Sequence, residues 1–82
     1  MKTNDEAVLN IWTVYRKPSD YPEKYVARRH VVRAEHAKEG PEATSEVILA
    51  DSLAKLRNLL PKGLHRIPRY PADDPVIVEV WL

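Results

Sequence analysis

The residues with the clearest capacity for chemistry are basic and aromatic side chains concentrated between positions 15 and 33. This stretch holds six Lys and Arg residues against two acids, a charge of +4, whereas the whole chain carries +1. Cations bind phosphate groups and tyrosine rings stack on bases, so the combination favours binding of single-stranded nucleic acid. Two arginines further along the chain could extend this surface. The candidate binding residues are Tyr15, Arg16, Lys17, Lys24, Tyr25, Arg28, Arg29, Arg33, Arg66 and Arg69.

The overall charge argues against a dedicated nucleic-acid binder. The sequence pI is about 8.0, whereas domains built for that purpose usually lie above about 9. Charged side chains on strands also serve simply to keep a sheet edge solvated and unpaired. Two interpretations of the basic residues therefore stay open, a nucleic-acid surface and a solvated charged face.

The motifs of catalysis and cofactor binding are absent from the sequence. Its two glycines, Gly40 and Gly63, cannot form a glycine-rich phosphate loop, and it has no cysteine, no HExxH motif and no nucleophile elbow. The sequence therefore predicts a protein that is not an enzyme and that carries no cofactor.

The histidines and paired aspartates do not predict a metal site. His30 and His36 would share one face of an extended strand, but about 20 Å apart at roughly 3.3 Å per residue. Asp73 and Asp74 precede Pro75, a combination typical of a turn in which an aspartate bonds its own backbone.

Length and composition set the scale of the protein. Its 82 residues are enough for one domain, 1–82, and 44% hydrophobic with 30% charged residues is a globular composition. The first six residues are polar, and no apolar stretch reaches the ~18 residues of a membrane span. We therefore expect a cytoplasmic protein of bacterial type that does not enter the membrane.

Two strands should position the basic residues. Val8 to Arg16 is rich in β-formers and apolar on both faces, which predicts a central strand. A proline-rich turn follows, and Tyr25 to Ala34 forms the second strand. Its alternation of polar and apolar residues is broken, which predicts a bulge near Arg28–His30.

The second half of the chain predicts a helix between two strands. Residues 38–43 are expected to form a loop and residues 44–49 a short third strand. Asp51 or Ser52 can cap a helix whose leucines recur at the helical period. Four prolines make 61–75 a long connection, and 76–82 reads as the last strand. The predicted core residues are Val14, Leu53, Leu56, Leu60, Val78 and Val80.

The order β-β-β-α-β predicts a two-layer α+β domain with one helix on one face of a mixed four-stranded sheet. Because a helix that joins two strands of one sheet favours a right-handed crossover, the last strand should lie beside the first and parallel to it, in sheet order 3-2-1-4. This arrangement resembles a β-grasp fold, and such a likeness implies no chemistry.

Four segments also resemble small bacterial proteins of unknown function. They are residues 11–15 (IWTVY), 19–22 (SDYP), 25–29 (YVARR) and 74–81 (DPVIVEVW). The resemblance implies no activity and assigns no role to any residue.

These observations rank a protein-interaction module first, with a protein partner or a homodimer as its target. Binding of single-stranded nucleic acid through the basic and aromatic residues is the alternative. The third strand is expected to be the sheet edge most open to pairing with another chain.

Overall fold

A computed structural model describes residues 8–82 of the chain, which fold into a five-stranded sheet and one short α-helix. The overall α+β class is as predicted. A 3₁₀ segment, Ala34–Glu39, follows the second strand. The strands and the helix are β1 (Val8–Arg16), β2 (Tyr25–Arg33), β3 (Glu42–Ala50), α1 (Leu53–Leu59), β4 (Arg66–Pro68) and β5 (Ile77–Trp81).

The sheet is antiparallel throughout, in the order β3-β2-β1-β5-β4. The prediction of a mixed four-stranded sheet, and with it the β-grasp likeness, is therefore wrong. The last strand does lie beside the first, but it runs antiparallel to it. The reason is β4, which forms inside the stretch predicted as a connection. The chain passes from β3 at one edge of the sheet through α1 to β4 at the other edge and returns as the antiparallel β4–β5 pair, so the helix joins β3 to β4 and not to the last strand.

Local features of the strands follow the sequence more closely. β1 has the predicted bounds and is the central strand. A register shift against β3 does lie between Arg28 and His30, where the bulge was predicted, but the extra residues belong to β3, and β2 keeps an unbroken register with β1. A second shift, between Val14 and Tyr15 against β5, was not predicted. β3 is longer than expected and begins soon after Gly40, whose φ of +79° lets the chain turn out of the 3₁₀ segment.

Helix α1 is capped and packed as its sequence predicts. The Ser52 hydroxyl accepts a hydrogen bond from the Lys55 N–H at 3.2 Å. Leu56 and Leu60 face the sheet and are buried. No helix in the described part of the chain is long and apolar enough to cross a bilayer. The buried core between helix and sheet consists of Trp12, Val14, Ala27, Ala50, Leu56 and Leu60.

The remaining core predictions hold only in part. Leu53 and Val78 pack against the core but are half-buried. Val80 pairs with Thr13 and Ile67 and lies on the opposite side of the sheet, away from the helix. The register shift between β1 and β5 leaves Val78 of β5 as an extra residue and changes which residues of β5 point toward α1. Counting alternate residues along the sequence does not reveal such a shift.

Candidate interaction surface

The sheet has two unequal faces. Trp12 and Val14 point toward α1, so their face is called the covered face. The intervening residues of β1 and their cross-strand partners form the opposite face, called the open face, because no helix of the described chain packs on it. The open face consists of Leu9, Ile11, Thr13, Tyr15, Val26, Arg28, His30, Val32, Val47, Leu49, Ile67, Ile77 and Val80.

Aliphatic side chains on the open face are left in contact with solvent. Leu9 is 48% exposed, Ile67 40%, Leu49 39% and Val47 36%. They come from three strands, β1, β3 and β4, of which the last two are the edges of the sheet. Exposed aliphatic side chains grouped on one face are typical of sites that bind another macromolecule.

A shallow recess of about 380 Å³ lies in the middle of the open face. Its floor is mostly aliphatic, and Pro41 and Asp73 from two loops form part of its wall. Among the described residues, the Nδ1 atom of His30 is buried without a hydrogen-bond partner. The recess is lined by Ile11, Thr13, Tyr15, His30, Pro41, Asp73, Ile77 and Val80.

The two neighbouring arginines of the predicted basic surface lie on opposite faces of the sheet. The Arg28 guanidinium is 5.6 Å from the centre of the Tyr15 ring on the open face, and it pairs with the Asp20 carboxylate. Arg29 lies on the covered face, where it donates to the Asn10 side chain at 2.9 Å and to the Glu46 carboxylate at 2.5 Å. One ligand strand on a single face cannot contact both arginines.

Tyr25, the first residue of β2, and Lys24 just before it have structural partners. Tyr25 packs against the core on the covered face. The Lys24 ammonium pairs with Asp51 just before α1. The hydrogen bond and charge of Lys24 hold the pKa of the Asp51 carboxyl below its usual value.

The other candidate cations are dispersed around the sheet. Arg16 and Arg33 are exposed at strand ends, and Lys17 is exposed in the hairpin turn with φ +46°. Arg66 lies on β4, 3.8 Å from the Glu79 carboxylate. Arg69 donates to two loop carbonyls, those of Tyr70 and Asp73. The structure therefore does not gather the ten candidate residues onto one surface.

Glu79 is a buried carboxylate that the sequence reasoning did not single out. It is 1% exposed on the covered face and accepts two hydrogen bonds from Arg57 and one from Trp81 Nε1. Burial raises its pKa, but these hydrogen bonds and the charges of Arg57 and Arg66 outweigh that effect and leave the pKa below its ordinary value. Glu79 raises the pKa of Arg57 in return. One acid within an otherwise apolar strand was the available signal.

The two edges of the sheet differ in how well they are protected. β4 is three residues long and ends in Pro68, which has no N–H to offer another strand. β3 is nine residues long and contains neither proline nor lysine. Short length, Pro and Lys are the usual protections of an edge, so β3 is the edge that can accept a further strand. Its position at the edge is as predicted.

Within residues 8–82, no group of three or more His, Cys, Asp or Glu side chains is placed to hold a metal ion. Comparison with known proteins finds no matching family model, no matching curated protein and no matching solved structure. The resemblance to small bacterial proteins therefore stays a prediction.

Proposed function

We propose that this protein is a non-enzymatic interaction module that works by associating with a second copy of itself through the open face of its sheet. The observation that carries the proposal is the row of uncovered aliphatic side chains on that face, opposite a face that α1 covers. Each exposed aliphatic group gains about 25 cal/mol for every Å² that a partner removes from water.

The charges on the open face favour a second copy over a charged partner. Arg28 is its only Lys or Arg, and its charge is offset by Asp20. The whole chain carries only +1, so two copies do not repel each other strongly. In a two-fold dimer the same patch of both subunits comes into contact, so the patch must be complementary to itself. An apolar and nearly neutral surface meets this requirement.

Nucleic-acid binding has weaker support. Four of the candidate cations already have carboxylate partners, and an ion pair must be broken or shared before such a cation can bind phosphate. The adjacent cations Arg28 and Arg29 also point to opposite faces. We therefore keep self-association as the conclusion.

Sedimentation velocity over a range of protein concentrations tests the proposal. The wild type should show a dimer that grows with concentration, and Leu49→Glu on the open face should abolish it. Leu59→Glu is the matched control, because Leu59 is a leucine of similar exposure (57%) on the helix layer instead. A wild type that stays monomeric at all concentrations, or a dimer lost equally in both variants, would refute the proposal.

A further inference from the structure

The direction of the backbone groups along β3 can be derived from the hairpin that precedes it. The Lys17 N–H donates to the Lys24 carbonyl at 3.0 Å, and this pair continues the β1–β2 register beyond Arg16 and Tyr25. In an antiparallel ladder, hydrogen-bonded pairs alternate with non-hydrogen-bonded pairs. Residues 26 and 28 of β2 therefore bond to β1, while Tyr25 and Ala27 direct their backbone groups toward β3.

An independent contact agrees with this direction. The Thr44 hydroxyl of β3 donates to the Arg29 carbonyl at 3.0 Å. Arg29 has the same parity as Tyr25 and Ala27, so its carbonyl is expected to point toward β3.

Val47 and Leu49 are consequently the residues whose backbone points away from the sheet. The β3 partners of Tyr25 and Ala27 are Ala50 and Ile48, which use their N–H and C=O groups on β2. Since these groups alternate, those of Val47 and Leu49 face outward at the edge. Their side chains are also exposed, on the open face. Free backbone groups and uncovered aliphatic side chains thus coincide at two residues.

We propose that β3 pairs antiparallel with β3 of a second copy, around a two-fold axis at Ile48, with Val47 of each chain opposite Leu49 of the other. This inference rests on the self-association proposed above and places the contact at the β3 edge, where Val47 and Leu49 of the open face meet the second copy while Leu9 and Ile67 remain exposed. Both Val47–Leu49 pairs are hydrogen-bonded pairs, so up to four backbone hydrogen bonds join the chains. The two sheets become one sheet of ten strands.

The side chains of β3 favour pairing with a second copy in this register over the neighbouring registers. Around an axis at Ile48, Val47 packs on Leu49, Ile48 on itself, and Glu46 lies opposite Ala50, so the carboxylates do not face each other. An axis at residue 47 would place Leu49 opposite Ser45, and an axis at residue 49 would place Val47 opposite Asp51. Only the axis at Ile48 places an aliphatic side chain opposite both of the residues whose backbone faces outward, Val47 and Leu49. An axis that passes between two residues would place a residue with outward backbone groups opposite one whose groups point inward, so the two could not form hydrogen bonds.

Cysteine trapping tests the register directly, because the chain has no cysteine of its own. In the proposed pair, the Cα atoms of residue 47 and residue 49 of the partner chain are about 5.5 Å apart, within the range that a disulfide bridges. Two copies of residue 47 lie roughly 8 Å apart, beyond that range. A mixture of Val47→Cys and Leu49→Cys proteins should therefore form the mixed disulfide, and each protein alone should not.

Each outcome of the trapping experiment has a distinct meaning. Efficient disulfide formation by Val47→Cys alone would overturn the register. A wild type that dimerises, but whose mixed variants do not cross-link and whose dimer is lost on Ile67→Glu at the opposite edge, would overturn edge pairing in favour of stacked faces. That result would leave the proposed function intact. A wild type that remains monomeric refutes both.

A proline variant checks the hydrogen bonds. Val47→Pro removes an N–H that points outward and is not used on β2, so loss of the dimer with unchanged circular dichroism is expected. Val47→Thr keeps the N–H and the β-branched shape, and should retain the dimer. A Val47→Pro protein that is folded and still dimeric would contradict the pairing. If Val47→Pro unfolds, the cysteine result decides.

Discussion

Arg57 of α1 and Glu79 of β5 are joined by two hydrogen bonds, from Nε at 2.9 Å and from an Nη atom at 2.7 Å. The carboxylate is fully buried, whereas the arginine side chain keeps 40% of its surface exposed. Trp81 Nε1 donates a third bond at 2.8 Å. This bidentate ion pair ties α1 to β5. A short helix is thereby held at both ends, by Ser52 at its start and by Arg57 near its end.

Removing the charge of Glu79 should destabilise the protein. Glu79→Gln loses charge-assisted hydrogen bonds and leaves Arg57 with a weaker partner, at an expected cost of about 1–3 kcal/mol. Arg66→Ala is the control, because its nitrogen is 3.8 Å from the carboxylate and its side chain is half exposed, so a change within about 0.5 kcal/mol is expected. Chemical denaturation measures both. Equal effects of the two substitutions would mean that the buried pair does not stabilise the fold.

The same carboxylate should make stability depend on pH. The pKa of Glu79 is lower in the folded protein than its ordinary value, so the unfolded chain binds the extra proton first. The stabilisation that the Glu79 carboxylate contributes is fully present above its pKa in the unfolded chain, about 4.3. It is lost as the pH falls through its lower pKa in the folded protein. Asp51 shifts in the same direction. The melting temperature of the wild type should therefore drop below about pH 4.5, and Glu79→Gln should show a smaller drop. A parallel drop in both proteins would exclude Glu79 as its source.

Truncation of the central leucine of the helix should be among the most costly core changes. Leu56 is fully buried against the sheet, so Leu56→Ala should cost about 2–5 kcal/mol through lost contacts and the cavity left behind. Leu59→Ala, on the exposed side of the same helix, should change stability by less than about 0.5 kcal/mol. Thermal melts of the two variants give the comparison. A Leu56→Ala protein that melts with the wild type would show that α1 does not pack as described.

The strands were predictable where one local signal decides. β1 is apolar on both sides and flanked by a proline turn, and its bounds and central position follow from these features. The broken alternation in β2 pointed to the right place for a register shift but to the wrong strand, because the extra residues lie in β3. The direction of the last strand and the number of strands were not predictable from the sequence. Both depend on the pairing of the three residues of β4 with β5. Arg66-Ile67-Pro68 carries no strand signal by itself, and Pro68 argues against one.

The candidate site was predictable in composition but not in arrangement. The sequence places Arg28 and Arg29 side by side, and a strand necessarily sends adjacent side chains to opposite faces. Asp20, Glu46 and Asp51 pair with the cations from other elements, which sequence spacing does not reveal. The apolar residues on both faces of β1 were a correct sign of a central strand. They did not indicate that one of those faces would remain uncovered.

The opposite placement of Arg28 and Arg29 gives a matched test of the nucleic-acid alternative. A phosphate-binding surface on the open face would use Arg28 and the stacked Tyr15 ring, so Arg28→Gln should weaken binding while Arg29→Gln, on the covered face, should not. With Arg28 as the one cation of that face, a fourfold rise in salt would lower affinity only about 3-fold, whereas the three to five contacts expected of the whole basic stretch would lower it about 20- to 130-fold, at the ~0.7 slope per contact of single strands. Because these cations have acidic partners, we expect instead negligible binding of a labelled single-stranded oligonucleotide in fluorescence anisotropy at physiological salt. Tight, salt-sensitive binding by a monomer, reduced by Arg28→Gln and unaffected by Arg29→Gln, would replace self-association as the function.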